Sequence, residues 1–586
     1  MIPMLEPRHR WTFPNPVVVG PDMTAEAVAS GLSARTLEVL VRRGLIDPAA
    51  LRAFLAPPAA ALHDPRLLPD ADRFLDRIAR ARIAGEGILV FGDFDADGIS
   101  GLATMTLALR ALGLRVEPYI PSRLDEGHGL SLRAVDTAIE LGCPVIVTVD
   151  TGSTSVAEIA VAVARGIDVL VTDHHRVPEV RPAAFALVNP HRPDSIYPDD
   201  RLAGSGVAFK VAQLLLADEP GGPATALAFA ELATIGTVSD VAPILGENRA
   251  IARLGLERMR TEPRPGIAAL LARAGATGST IDLEPVAFTL APRINAAGRV
   301  GDAFDAVLLL LADDRAEADA IAERLETANL SRREMTKTAL KEAEGLADAI
   351  PSDAPAIVVK GDWPVGIVGL VAARLAEERG RPAVVGTELG DIVRASCRSA
   401  GGFDLGAALE ACHDLLIRHG GHAGAAGFEI QADRWTDFQA RFEALAAAAG
   451  PTDPRAELRL DLALRAEEID YRLLRELALL APTGTGNPQP RVAVRGVRVA
   501  RVRSASGGHT QLTLRRERDV IDAIAFGRAD LGETVHEGDR IDVVATLASR
   551  AFAGIESMQL EVRDVAPSGY HPAAAEILGL VPAGVA

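Results

Sequence analysis

The chain has 586 residues, 48% hydrophobic and 24% charged, a globular composition too long for one core, so roughly two to four domains are expected. A formal charge of −18 excludes a surface that coats nucleic acid everywhere, while leaving room for local basic patches. Aliphatic runs such as Val307 to Ala312 fall far short of the roughly 20 apolar residues of a membrane helix, the first ten residues lack a signal-peptide core, and Cys143, Cys397 and Cys412 have neither disulfide-framework nor zinc spacing, so a cytoplasmic protein with no membrane partner is expected.

Residues 1–75 read as a helical, proline-punctuated lead-in without recognisable chemistry. Within 76–300, β-branched runs at Gly87 to Gly92, Arg115 to Ile120, Pro144 to Val149 and Asp168 to Thr172 alternate with helical segments that end at Gly113, Gly142 and Gly166, a pattern that predicts a parallel, doubly wound sheet. Residues 301–350 carry Ile321, Leu325, Ala328, Met335 and Ala339 at helical spacing, which predicts one long connecting helix. Its skipped apolar position is Arg332, explained either by an anion facing that side or by a salt bridge. A second α/β domain is expected at 351–452, with a linker at Pro451 to Pro454. From 453 to 586, short alternating strands (Val492 to Val499, Gln511 to Arg515, Val520 to Phe526, Arg540 to Ala545, Met558 to Val562) predict a small β-barrel and a C-terminal tail.

The first strand delivers Asp93, Asp95 and Asp97 within five residues. An EF-hand is excluded, because the twelfth loop position is Thr104 and a strand precedes the loop. Helix capping accounts for one carboxylate, not three. The third strand ends in Asp150 and the fourth in Asp173-His174-His175, and groups at the carboxyl ends of adjacent parallel strands converge on one crevice. A later helix adds Asp240 in Gly236-Thr237-Val238-Ser239-Asp240. Carboxylates with one or two imidazoles suit Mn²⁺ or Mg²⁺ better than structural zinc, and the donors suffice for two ions.

These residues, in this order, resemble the DHH phosphoesterases, and within them the RecJ single-strand-specific exonucleases. The resemblance rests on Gly92-Asp93-Phe94-Asp95-Ala96-Asp97-Gly98, Val149-Asp150-Thr151-Gly152, Asp173-His174-His175, Leu202-Ala203-Gly204, Gly236 to Val241, Pro292 to Arg299, Gly366-Ile367-Val368-Gly369, Ser396-Cys397-Arg398-Ser399 and Gly420-Gly421-His422-Ala423. It implies an α/β DHH domain with a parallel sheet, a long connecting helix, a second α/β domain of the DHHA1 kind and a C-terminal OB-fold barrel. It further implies that Asp93, Asp95 and Asp150 hold one metal, that Asp97, Asp150, His174 and Asp240 hold the other, that His175 touches the scissile phosphate, and that Asp173 orients an imidazole. Arg374, Ser396, Arg398, Gly420, Gly421 and His422 would clamp the nucleotide being cut, while Arg123, Arg293, Asn295 and Arg299 would face the strand. The chain departs from the family at Trp363-Pro364, where Trp-His is usual, and at His128, where Tyr is common.

The activity so implied is two-metal, 5′→3′ hydrolysis of single-stranded DNA to 5′-mononucleotides in recombination and repair, alongside a single-strand-binding protein and a RecQ-type helicase. Two other readings are a phosphodiesterase of short oligonucleotides or cyclic dinucleotides, and an inactive DHH scaffold of the Cdc45 type. The first lacks a reason for the barrel, and the second lacks one for an intact acidic set. Residues 484–528 hold nine arginines against three acids, a basic strip inside an acidic chain. Its few aromatic candidates, Phe526 and Phe552, predict electrostatic contact with a strand more than stacking.

Overall fold

The computed structural model describes residues 5–123, 126–450, 455–552, 555–571 and 581–582. The linker expected at Pro451 to Pro454, the residues Leu124 and Asp125, and the side chain of Phe552 lie outside that description. The chain forms two compact units, Leu62–Pro454 and Met1–Ala61 with Arg455–Ala586.

In the first unit the β-branched runs form a five-stranded parallel sheet in the spatial order Arg115–Tyr119, Gly87–Gly92, Val145–Val149, Asp168–Thr172 and Ala186–Val188. Four strands coincide with the predicted runs to within a residue. The fifth is three residues long and gave no period to read. The order reverses at Gly87–Gly92, whose neighbours Arg115–Tyr119 and Val145–Val149 follow it in sequence on opposite sides, which makes its carboxyl end the crevice of a doubly wound sheet. The helix Ala96–Ala111 is buried along almost its whole length, as expected of an apolar helix under a sheet. Gly101 permits that packing, since a Cβ there would lie 2.6 Å from Val149 Cγ1.

The segment 301–350 is two helices, Ala303–Leu311 and Arg315–Asp348, divided where Asp314 caps the second by accepting the Glu317 N–H. The long helix is buried at its two ends. Ala318, Ile321, Ala322 and Leu325 join the core around the parallel sheet, and Ala339, Ala343 and Ala347 pack with Ile367, Val371 and Leu375. Met335, expected on the apolar seam, is 39% exposed, because the middle of the helix spans between two cores and packs on neither. Beyond it a five-stranded sheet runs Leu416–Gly421, Ala425–Gln431, Ile392–Arg398, Ala383–Leu389 and Ile357–Gly361, antiparallel except for the last pair.

In the second unit, Val492–Ala505, His509–Arg516, Asp519–Ala525, Ile555–Pro567 and Arg540–Phe552 pair in that order, and the last pairs back to the first, closing a barrel. The lead-in read at 1–75 is divided between the units. The helix Ala71–Ala84 buries Phe74 and Ile78 in the first. The helices Pro21–Ala29, Ala34–Arg42 and Pro48–Leu55 bury Met23, Leu37, Leu40 and Leu51 in one apolar cluster with the barrel residues Val492, Leu514 and Val543. Trp11 Nε1 donates to Asp564 at 2.9 Å, and Arg10–Thr12 pairs with Glu457–Arg459. These contacts join residues more than 400 positions apart, which no local pattern announces. No helix among the described residues is long and apolar enough to cross a membrane.

Candidate metal centre and nucleic-acid crevice

Each acid is placed by backbone. Asp95 caps the helix Ala96–Ala111, its Oδ1 accepting the Asp97 and Gly98 N–H groups at 2.9 and 3.0 Å. Asp97 accepts the N–H groups of Gly204 at 2.7 Å and Ser205 at 2.9 Å, where the first turn of the helix Gly204–Leu216 offers unpaired donors and a positive dipole end. Asp150 follows its strand directly and takes φ of 61°, a left-handed conformation that costs a non-glycine residue and marks a constrained site. Asp240 is the C-cap of the helix Ala230–Ser239, and Val241 after it is also left-handed, at φ 61°. Glycines give the carboxylates room: a Cβ on Gly204 would lie 2.3 Å from Asp150 Oδ1, and one on Gly236 2.2 Å from Asp97 Oδ1.

The donors form three overlapping groups, each with one ligand atom per residue within 4.8 Å of the others: Asp93, Asp95 and Asp150; Asp97, His174 and Asp240; Asp150, His174 and His175. Asp150 Oδ1 and His174 Nε2 face each other at 3.1 Å, yet both are buried without a hydrogen-bond partner. Buried polar atoms are normally satisfied, so this pair fits a shared divalent cation, and a set of carboxylates with imidazole suits Mn²⁺ or Mg²⁺.

Burial, then repulsion from Asp93 and Asp97, pushes the Asp95 carboxyl up to about 6. Burial, then Asp97 and Asp95, pushes Asp240 up to about 8. Asp150 is raised well above the carboxylate range by burial and by Asp97, Asp95 and Asp93. Cations at these positions would reverse the shifts. Asp173 differs. Burial disfavours its charge, but bonding to His175 overcomes that and holds the carboxyl below its ordinary range, while the same bond raises His175 to about 9. Asp173 thus orients His175 rather than His174, through Nδ1 at 2.8 Å, and accepts the N–H groups of both histidines.

The acidic loop faces a crevice within the same unit. A cavity of about 400 Å³ is lined by Phe94, Arg123 and His128 on one side, by Arg394, Ser396, Arg398, Arg418 and Gly420 on the other, and by Arg299. A neighbouring cavity of about 720 Å³ shares Phe94, Arg123 and Arg299 and adds Tyr119 and Arg133. Arg123 lies over the Phe94 ring, 4.4 Å from its centroid. Burial, then repulsion from Arg123, Arg332 and Arg398, lowers the Arg299 guanidinium to about 10. Four arginines therefore converge near the acids, an arrangement suited to several phosphates. Arg332 makes no ion pair among the described residues, and its Nε is buried without a partner, so the salt-bridge explanation of that position finds no support.

Other sequence candidates are occupied differently. Arg293 pairs with Glu326 and donates to Thr289 O. Asn295 is a tie: its Oδ1 accepts the Ala96 N–H at 2.8 Å and its Nδ2 reaches Ser239 Oγ. Arg374 is 61% exposed and paired with Glu377 at 3.2 Å. The glycine-rich stretch is a β-hairpin, with Gly420 opposite Gly427 and Gly421 opposite Ala426, and the His422 N–H donating to Ala425 O. Gly421 is fixed by that pairing, since a Cβ would lie 2.4 Å from Ala426 Cα. At the departures, Trp363 Nε1 donates to Glu342, and His128 Nδ1 lies 3.0 Å from Asp93 Oδ2 with its ring against Phe94. The contact of His128 with an acid of the centre was missed, because nothing local joins positions 35 residues apart. Arg394 and Arg418, which share Glu429, were missed for the same reason: strand register brings them together.

Family models for the DHH family N-terminal domain, the DHHA1 domain and the RecJ OB domain match residues 87–237, 353–448 and 460–564. The class is therefore a DHH protein with both of its α/β domains and an attached OB domain. The single-stranded-DNA-specific exonuclease RecJ of Bacillus subtilis is 36% identical over 540 residues, covering 91% of this chain and 68% of that protein. RecJ of Thermus thermophilus is 34% identical, covering 87% and 72%, and its crystal structure in complex with Mn²⁺ superposes with a TM-score of 0.81 over 95% of this chain and 80% of that one, at 31% identity. The chain belongs to the RecJ family of single-stranded-DNA-specific exonucleases.

Proposed function

We propose that this chain hydrolyses single-stranded DNA from the 5′ end, releasing 5′-mononucleotides, with two divalent cations, Mn²⁺ or Mg²⁺. The observation that carries the reading is the set of three overlapping donor groups, linked through Asp150 and His174, built around the loop whose Phe94 lines an arginine-rich crevice. Asp93, Asp95 and Asp150 would hold one ion, and Asp97, Asp150, His174 and Asp240 the other. Two such ions, when bound, supply hydroxide near neutral pH and stabilise the attacking and leaving oxygens of an in-line displacement.

The remaining work belongs to the side chains. Asp173 keeps His175 charged and aimed through Nδ1, so its free edge can donate to the scissile phosphate. Arg299, Arg123 and Arg398 hold the strand's phosphates in the crevice, and Ser396 with the hairpin at Gly420 closes the wall opposite the acids. Residues 76–300 then act as the catalytic domain, 301–350 as the connection, 351–452 as the clamp, and 453–586, with the N-terminal helices, as a strand-holding module. The setting is cytoplasmic recombination and repair, in which a helicase of the RecQ type supplies single strands and a single-strand-binding protein presents them.

The test is digestion of 5′- and 3′-labelled single strands, blunt duplexes and 5′-tailed duplexes with each metal. Mononucleotides released from 5′ ends, with arrest at the duplex junction, are expected. Rapid loss of blunt duplex, or initiation only from 3′ ends, overturns the proposal.

A further inference from the structure

The barrel carries a second charged concavity, formed by strand register. Arg498 on Val492–Ala505 lies directly opposite Arg515 on one neighbouring strand and Arg540 on the other. Side chains in register point to the same face, and all three are exposed. None of the three makes an ion pair among the described residues; Arg515 Nε donates only to the backbone oxygen of Glu517. Like charges directly opposite are destabilising, and here they stand three abreast. Irregularities in the pairing of Val492–Ala505 flank the position, between Val494 and Val497 and between Val499 and Arg501, and such bulges re-aim side chains. With Arg516, Glu517 and Glu537 these arginines line a cavity of about 830 Å³.

The barrel's other feature for a strand is remote from this one. His509, which opens the second barrel strand, and the 51% exposed Phe526, just past the end of the third, meet edge to face at 5.1 Å, at one end of the two strands by which five-stranded barrels of this kind bind oligonucleotides. His509 opens its strand and Arg515 lies six residues further along, about 20 Å away at strand rise. The basin therefore lies off that groove.

We propose that Arg498, Arg515 and Arg540 form a phosphate-binding basin that holds successive backbone phosphates of a single strand. The inference rests on the single-strand reading above and adds a site to it. Three guanidinium groups on adjacent strands reach across about 10 Å, more than one nucleotide's length, and their forked donors match phosphate oxygens. An acidic peptide is the rival occupant, since arginine clusters also read acidic motifs; the span of about 10 Å across three strands favours phosphates repeated along one backbone, and competition binding separates the two.

The experiment measures binding of the full-length protein, metal withheld, to a labelled strand of about 40 nucleotides over a range of salt. The variants are Arg498→Gln/Arg540→Gln and Arg498→Lys/Arg540→Lys, with thermal midpoints recorded to show that each is folded. Loss of two phosphate contacts is expected to weaken binding about tenfold or more and to flatten the slope of log affinity against log salt by about 1.4, at roughly 0.7 per contact for single strands. The lysine variant should keep the slope. An unchanged slope in the glutamine variant overturns the basin and leaves the exonuclease reading intact, whereas a wild-type protein that does not bind single strands overturns that reading instead. Competition with inorganic phosphate, and separately with an aspartate-rich peptide, completes the test: displacement of the strand by either at low concentration, lost in the glutamine variant, assigns the basin to a free anion or to a protein and overturns the proposal.

Discussion

The acidic centre and the arginine basin are both clusters of like charge created by parallel or in-register strands, and they behave oppositely. The carboxylates at Asp93, Asp97 and Asp150 are buried, Asp150 Oδ1 faces His174 Nε2 with neither atom satisfied, and burial followed by mutual repulsion shifts Asp95, Asp150 and Asp240 upward. The arginines at 498, 515 and 540 are exposed, and water and salt screen them. Burial makes a charged cluster dependent on its ligand, while exposure leaves the ligand a matter of affinity. Breaking the first should therefore abolish chemistry, and breaking the second should only loosen the hold on a strand.

The largest effect is expected at Asp150. Asp150→Ala removes the donor common to two of the three groups, so hydrolysis should fall to background and Mn²⁺ binding, followed by electron paramagnetic resonance, should weaken at both positions. Retained turnover would show that the shared-donor assignment is wrong. A related measurement is thermal: Mn²⁺ at about 100 times its dissociation constant should stabilise the wild-type protein by about 2.7 kcal/mol, and Asp150→Ala should lose that gain.

Next comes a change that removes no functional atom. Gly204→Ala places a methyl group 2.3 Å from Asp150 Oδ1 as the site now stands, so the carboxylate or the helix must move. A displacement near 1 Å at a reacting centre costs about a hundredfold in rate. Turnover lowered on that scale, with the protein still folded by circular dichroism, is expected; a rate within twofold of wild type would mean that the acids are not held as tightly as their backbone contacts imply.

The same contrast explains what could be read from the sequence. Asp93, Asp95 and Asp97 stand within five residues, and Asp150 and His174 sit at the ends of strands that period and punctuation locate, so the grouping of these donors is legible in the sequence. That one of the three caps the next helix is legible too, but that it is Asp95, and that Asp97 lies on the Gly204 N-terminus, is not, because these are backbone contacts. Arg498, Arg515 and Arg540 show no local pattern, and a one-residue slip in register would scatter them to opposite faces. The family resemblance gives Arg293 and Asn295 to the strand, yet Glu326 and the Ala96 N–H occupy them. The long helix is legible as a connecting helix, but the apolar seam read through Met335 is not a packed one, since that residue has the right period and no core to meet. The N-terminal helices illustrate the general limit: their helical character is legible, and their partner, more than 400 residues away, is not.

A smaller effect is expected in the crevice wall. Among the described residues Arg398 makes one hydrogen bond, to Cys397 O at 2.8 Å, which leaves its other donors for a phosphate. Arg398→Ala should raise KM for short 5′-phosphorylated strands by about 10- to 100-fold, the equivalent of a charge-assisted contact of about 1.5–3 kcal/mol, with kcat less affected. A loss confined to kcat would place Arg398 in the reaction rather than in binding.

The smallest effect on chemistry is expected from removing the barrel, provided the cut respects the two units. Ending the chain near Gly450 would leave the helices Pro21–Ala29, Ala34–Arg42 and Pro48–Leu55 without Val492, Leu514 and Val543, the apolar partners that now bury Met23, Leu37 and Leu51. Such a truncation should aggregate for reasons unrelated to catalysis. A fragment of 62–450 retains the parallel sheet, the long helix, the second sheet and the whole crevice, because the core around Phe74, Ile88 and Leu325 closes within it. On oligonucleotides of about four residues its kcat/KM should stay within roughly tenfold of the full chain. On long strands its affinity should drop and its salt dependence should become shallower, since the phosphate contacts of the barrel are gone. If the fragment held long strands as tightly as the intact protein, the crevice arginines alone would account for binding, and the barrel's basic strip would have no part in holding DNA.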